Sequence, residues 1–275
     1  MRLWIFGLLF PVWLLGADLS QQLFSLENKT TRDQFPAYQS IVARGNALSA
    51  IALLVYKTTD GGLKTVTGFF IDDDLVLTAL HPKGSEGIDC QTMKVYASIT
   101  SAKVSGIESE QSYGCKAILL SEREYGMAMI RIAGSHPHFL ALPSSELEPY
   151  VPYEKVEAHS AEPHVSTYSA VGYSDDAGIF LSVGCTLEAK CIICANAKLR
   201  INPVAWTQSD CLFRKGMAGG PLLKPGKNGS WEVVGMLSTV VAGGDAFTRV
   251  YAQVAVIKMA ALQREFGFDL KRSRK

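Results

Sequence analysis

Apolar positions in this chain come mostly in short runs separated by polar turns, a pattern of strands more than of helices. The first run is different. Leu3 to Leu15 is apolar, interrupted by Pro11, with a positive Met1-Arg2 in front and Leu15-Gly16-Ala17 behind. That layout predicts a signal peptide over residues 1–17, removed on export. The run falls short of the roughly twenty residues needed to cross a bilayer, and no later run is long and apolar enough for a membrane helix; a retained N-terminal anchor is the alternative. Residues 18–47 are polar and read as either a propeptide or an N-terminal arm. Strands are then predicted at Ala50 to Tyr56, Val66 to Ile71, Leu75 to Ala79, Met93 to Ala97 and Lys116 to Leu120, with Asp72-Asp73-Asp74 as the turn between the second and third. A polar, proline-containing stretch from His136 to Pro163 precedes a second set at Ala170 to Tyr173, Phe180 to Cys185, Pro221 to Leu223, Trp231 to Leu237 and Phe247 to Tyr251. Asn228-Gly229 is a hairpin signal within that set. From Ala252 to Phe266, apolar Val254, Ile257, Ala261 and Leu262 recur at helical spacing and predict one amphipathic C-terminal helix.

Composition narrows the function classes. Lys plus Arg number 27 against 26 Asp plus Glu, so no overall field draws the chain to nucleic acid or to an anionic membrane. The basic run within 266–275 reads as a solvated tail. Export gives the six cysteines an oxidising destination, periplasmic or extracellular. Cys90 is expected to pair with Cys115. Among the remaining four, Cys185 with Cys211 and Cys191 with Cys194 is the favoured pairing, and a four-thiolate zinc site is the alternative, weakened by the lack of a second Cys-x-x-Cys. No cofactor or metal is expected; His136, His138, His159 and His164 read as surface loop residues.

The chemistry concentrates in Gly216-Met217-Ala218-Gly219-Gly220-Pro221. It resembles the G-x-S-G-G-P nucleophile loop of the trypsin/chymotrypsin-like serine proteases, with alanine in the serine position. Three further landmarks follow the order of that family. Thr67 to Ile71, the acidic turn and Leu75 to His81 resemble the segment that delivers the catalytic histidine. Tyr125 to Ile130 resembles the strand that carries the aspartate, with Gly126 in its place. Val233 to Ser238 and Phe247 to Tyr251 resemble the pocket strand and the last strand. The resemblance covers residues 48 to 265. It implies an all-β fold of two six-stranded antiparallel β-barrels packed together, the first over about 48–142 and the second over about 165–252, followed by the C-terminal α-helix.

The same resemblance assigns roles residue by residue. His81 keeps the general-base position, Gly126 is the degenerate aspartate position and Ala218 the degenerate nucleophile position. Gly216 and Ala218 would supply the oxyanion-hole amides, and Leu212, Ser238 and Val240 would line a narrowed apolar substrate pocket. Met217 stands where animal trypsins carry the aspartate that receives the new N-terminus, which removes that activation switch. The mechanism needs a serine oxygen to attack and a carboxylate to hold the histidine tautomer; a methyl group and a glycine do neither. Glu124, two residues before Gly126, is the one substitute carboxylate considered, and Ser209 and Ser238 are hydroxyls flanking the cleft without occupying the elbow. The expectation is an exported protease homologue that is inactive and binds a polypeptide partner. Two alternatives stay open: an active serine-type endopeptidase with displaced catalytic groups, and a structural envelope protein.

Overall fold

The computed structural model describes residues 22–25, 47–58, 61–79, 88–103, 106–122, 127–142, 168–173, 179–185, 206–209, 211, 213, 216–225, 231–241 and 253–258. Within them the chain is all β. The expected signal peptide, the basic tail, His81, Gly126, Glu124, His159, His164, Leu212, Cys191, Cys194 and residues 247–251 lie outside the described residues.

The first unit is a closed antiparallel barrel. Its strands are β2 (Ile51–Lys57), β3 (Leu63–Phe70), β4 (Leu75–Ala79), β5 (Lys94–Lys103), β6 (Gly106–Glu122) and β7 (Met127–Ile132), in the order β2-β3-β4-β7-β6-β5, with β5 pairing back onto β2. Every residue of β4 is buried, as are Ile51 to Leu54 and Met127 to Ile130, which is why these segments read as continuous apolar runs. The acidic turn closes as expected: Ile71 N–H donates to Leu75 O at 2.9 Å, and Asp73 N–H to the Asp72 carboxylate at 2.9 Å. Cys90 and Cys115 form the expected disulfide, fastening the segment before β5 to β6.

A second sheet contains β1 (Gln22–Ser25), β8 (Tyr168–Tyr173), β9 (Ile179–Cys185), β10 (Trp206–Ser209), β11 (Pro221–Pro225), β12 (Trp231–Val241) and β13 (Gln253–Lys258). Its order is β1-β9-β8-β11-β12-β13-β10. Numbering the six strands of each unit from its own start shows one plan used twice. The first barrel pairs 1-2, 2-3, 3-6, 6-5, 5-4 and 4-1, and β8 to β13 repeat all of these except 2-3. The missing pair would join β9 to β10. Here the outer edge of β9 carries β1 in antiparallel register, Gln22 opposite Val183 and Ser25 opposite Phe180. The expectation of a second six-stranded barrel is therefore corrected: among the described residues it is a seven-stranded sheet whose closing edge is occupied by β1.

The C-terminal helix is also corrected over its first half. Gln253–Lys258 is a strand, paired with β12 on one side and β10 on the other. Val254 and Ile257 are three apart, but Val254, Val256 and Ile257 are β-branched and favour extended backbone where two strands offer hydrogen-bonding edges. The remainder of the predicted helix, 259–266, lies outside the described residues.

Two apolar clusters are present among the described residues. The larger takes the interior of the first barrel together with Val171, Tyr173, Leu181, Val233 and Met236 from the second sheet. The smaller gathers Ala170, Phe180, Cys211, Met217, Leu222 and Leu237. The 216–221 loop lies between them, with Met217 in the smaller cluster and Ala218 packed against the larger.

Candidate functional site

The elbow is a turn whose geometry depends on glycine. Gly220 N–H donates to Met217 O at 3.0 Å, and Gly219, at the third position of that turn, has φ +88°. Such a turn needs positive φ at that position, which glycine adopts without steric cost. Gly216 has φ +99° at the loop entrance.

Packing makes the glycines obligatory for a second reason. A Cβ on Gly219 would collide with Thr67 O and lie 2.7 Å from Ala79 N and 2.9 Å from Thr78 Oγ1, while one on Gly220 would collide with Val171 O. A Cβ on Gly172 would lie 2.8 Å from the Met217 Cα. The turn is thus pressed between β3 and β4 on one side and β8 on the other. The Gly-Gly frame follows from close backbone approach of two sheets and says nothing by itself about catalysis.

Thr67 is the residue that locks the loop in place, and it is fully buried. Its amide donates to Ala218 O at 3.1 Å and its hydroxyl to Gly216 O at 2.7 Å. The same hydroxyl accepts the Tyr173 amide at 2.8 Å, and its carbonyl accepts the Thr78 hydroxyl at 2.6 Å. On the far side Gly219 N–H donates to Leu237 O at 2.7 Å and Leu237 N–H to Gly220 O at 2.8 Å. Thr67 was absent from the expected site. Its signal, a threonine inside the otherwise apolar stretch Val66 to Ile71, is faint because the partners are up to 149 residues away.

Chain paths leading to the other two expected positions meet this loop. β4 ends at Ala79, two residues before His81, and Ala79 pairs in register with Met127, the residue after Gly126. Ala79 is also the residue whose amide crowds Gly219.

Ala218 is half-buried and presents only a methyl group. Among the described residues, the amides of Gly216 and Ala218 donate to no acceptor, although the carbonyls of both residues are bound. Neighbouring hydroxyls are committed elsewhere: Thr67 and Thr78 as above, while buried Ser209 donates to Cys211 Sγ at 3.1 Å and accepts the Cys211 amide at 3.2 Å. Ser238 differs. It is 6% exposed, and its hydroxyl has no partner among the described residues. It follows Leu237 on β12, at the point where β12 loses its partner on one side. β11 accompanies β12 only from Trp231 to Met236, whereas β13 continues to Val241. Beyond Leu237 the β11 side of β12 has no strand beside it among the described residues.

Two further expectations meet the structure here. Cys211 is disulfide-bonded, while the pairings of Cys185 with Cys211 and of Cys191 with Cys194 fall on side chains outside the described residues. His136, expected on the surface, is fully buried. Loop 133–140 is tied down over the barrel end, His136 N–H donating to Asp73 O at 2.7 Å and Leu140 N–H to Phe70 O at 2.9 Å. The imidazole stacks on Phe70 at 4.3 Å. Its Nε2 lies 2.8 Å from Ser49 O, and its Nδ1 lies 2.8 Å from Gln111 Oε1 and 3.2 Å from the Tyr113 hydroxyl. The Ser49 carbonyl can only accept, so Nε2 carries a proton. Burial lowers the His136 pKa below its usual value, against the opposing pull of that carbonyl. No group of three or more metal-ligating side chains occurs among the described residues.

No family model matches the chain, and no curated protein is significantly similar to it in sequence. Solved structures are. The active form of the Rv3671c protease from M. tuberculosis superposes with a TM-score of 0.56 at 14% identity, covering 85% of this chain and 86% of that one. A serine-to-alanine mutant of the same protease, in its inactive form, gives 0.52 at 14% identity, covering 85% and 92%. A structure of GrC gives 0.55 at 14% identity, covering 82% and 96%. Likeness at that identity shows the fold, which is that of the trypsin-like serine proteases.

Proposed function

We propose that this chain is an exported, catalytically inactive homologue of the trypsin-like serine proteases that holds an extended polypeptide at the elbow. The observation that carries the reading is Ala218 itself, seated in a loop that both sheets hold in shape. Loss of the nucleophile alone costs about a millionfold in turnover in enzymes of this mechanism, equivalent to about 8 kcal/mol of transition-state stabilisation. Among the hydroxyls on the elements that frame the loop, Thr67 and Thr78 are bound and buried, and Ser238 is buried on β12, outside the 216–221 loop. Binding needs less than catalysis. The amides of Gly216 and Ala218, with no acceptor among the described residues, can receive a carbonyl oxygen, and the edge of β12 after Leu237, with no strand beside it among the described residues, can take a peptide by strand addition. Export is supported by the N-terminal apolar run and by the disulfides, which suit a periplasmic or extracellular destination.

Purified mature protein is expected neither to cleave unstructured casein nor to react with a fluorophosphonate probe. Cleavage that survives repurification and scales with protein concentration would establish the displaced-enzyme alternative. Restoring Ala218→Ser together with Gly126→Asp is expected to bring back measurable hydrolysis, because the loop that seats the serine is already shaped.

A further inference from the structure

Burial along the outer face of the first barrel changes within one hairpin. On β2 it runs from buried Ile51 and Leu53 through half-buried Val55 to exposed Lys57, and on β3 from buried Phe69 and Thr67 to exposed Thr65 and Leu63. These residues pair in register, Ile51 opposite Phe69 and Lys57 opposite Leu63. The second sheet packs on the buried part, where Thr67 meets the elbow and Tyr173, and the rest is open to solvent. Leu63 is 69% exposed, the most of any large apolar side chain among the described residues. Three lysines share this open part. Lys94 on β5 stands opposite Val55 on one side and Gly114 on the other. Lys57 and Lys116 follow those two partners by two residues, so both lie on the face of Lys94 and diagonal to it, at about 7–8 Å. All three are exposed. None makes an ion pair among the described residues, unlike Arg131, which holds Asp74. Segments 53–57, 61–65, 88–96 and 112–116 contain a single carboxylate, that of Asp89, which accepts the Gln91 amide at 2.9 Å. The whole chain is close to neutral, with 27 cationic against 26 anionic side chains, so this excess of positive charge is local. Charges within a Debye length of about 8 Å repel one another, and the three lysines have no described counterion.

We infer that this face, separate from the elbow, docks an extended acidic segment of a partner polypeptide, with carboxylates against Lys57, Lys94 and Lys116 and an apolar residue on Leu63. An extended chain presents side chains on one face at every second residue, about 6.5–7 Å apart. That repeat matches the diagonal spacing of the lysines, so alternate Glu or Asp residues meet them while the residues between face solvent. Long lysine stems take up the remaining mismatch and cover apolar surface as they do so, here beside half-buried Val55 and Tyr96. Leu63, directly opposite Lys57, gives the segment an apolar end point and therefore a direction. An anionic lipid surface fits less well, because polybasic attachment to a leaflet draws on clusters of about four to eight cations. Three lysines and one exposed leucine fall short of that.

The test titrates ¹⁵N-labelled mature protein with acetyl-Leu-Glu-Thr-Glu-Thr-Glu-amide, with the same peptide carrying Gln for Glu, and with phosphatidylcholine vesicles containing phosphatidylserine. Each titration is repeated on the combined variant Lys57→Gln, Lys94→Gln, Lys116→Gln and on Leu63→Ser. The acidic peptide is expected to shift the Lys57, Leu63, Lys94 and Lys116 amide resonances and to weaken as salt is raised. It is expected to bind about tenfold more tightly than the Gln peptide, the sum of three exposed ion pairs. The combined variant should lose that factor without melting earlier, since it removes like charges from an exposed face, and Leu63→Ser should weaken the peptide while keeping the salt dependence. Equal affinity for the Glu and Gln peptides overturns the inference, as does undiminished binding by the combined variant. Vesicle binding that the combined variant loses, with the acidic peptide leaving all four resonances unmoved, assigns the face to lipid and overturns a polypeptide partner. Shifts confined to residues 216–221 place the peptide at the elbow and overturn this face as its dock.

Discussion

Thr67 and His136 are the residues whose surroundings make the sharpest predictions. Thr67 makes four hydrogen bonds through its amide, carbonyl and hydroxyl, and two of them pass through Oγ. Thr67→Val keeps the shape and strands the Gly216 carbonyl and the Tyr173 amide in a buried site, at an expected cost of about 2–4 kcal/mol; Thr67→Ser should recover most of it. Urea unfolding curves of the two variants check this. His136 predicts a pH dependence with a definite sign. Its folded-state pKa is lowered by burial, so the unfolded chain takes up a proton first as pH falls. The ring then contributes full stability above its ordinary pKa of about 6.5 and loses that contribution as pH drops toward its lowered folded value. The groups facing the ring are the Ser49 carbonyl, the Tyr113 hydroxyl, the Gln111 side-chain oxygen and the His138 ring. Denaturant midpoints measured from pH 8 down to pH 5 should fall, with a limiting slope of about 1.4 kcal/mol per pH unit, and His136→Gln should flatten that part of the profile. Neither residue was legible as important in the sequence. The glycines of the elbow announce themselves in six consecutive positions, whereas Thr67 and His136 acquire their roles only from partners far along the chain.

At the scale of elements, strands with a continuous apolar run or clear alternation were legible, because burial on a pleated surface leaves that trace in the residues. Leu75–Ala79 was read to the residue. Trp206–Ser209 and Gln22–Ser25 were not read at all, being four residues long and held by partners more than by their own pattern. Gln253–Lys258 was read with the wrong period, since Val254 and Ile257 satisfy a helix while Val254 and Val256 satisfy a strand, and only the neighbouring β12 and β10 decide between them. The Cys90–Cys115 bridge gives this scale its own prediction. It closes a loop of 25 residues between the approach to β5 and the middle of β6. Replacing both cysteines by serine should lower stability by about 3 kcal/mol, chiefly by freeing the unfolded chain, with far-ultraviolet circular dichroism unchanged below the melting transition.

For the whole molecule, the repeated strand order and the single departure from it belong together. Every pairing of the first barrel recurs in the second sheet except the one that would join β9 to β10, and β1 sits on the β9 edge. A chain lacking everything up to Ser25 would leave that edge unpaired. It should lose about 2 kcal/mol with the hydrogen bonds of a four-residue strand and acquire an open template for pairing between molecules. Sedimentation velocity should therefore show concentration-dependent association in the truncated protein and not in the longer one.

Because the Gly-Gly turn is wedged where two sheets meet, the shape of the joint is set by backbone contacts at Gly219 and Gly220, and the small side chain at position 218 adds only a methyl to it. Chemistry can accordingly be lost from such a molecule by a single exchange with little mechanical penalty, leaving behind a socket that selection is free to fill with another task.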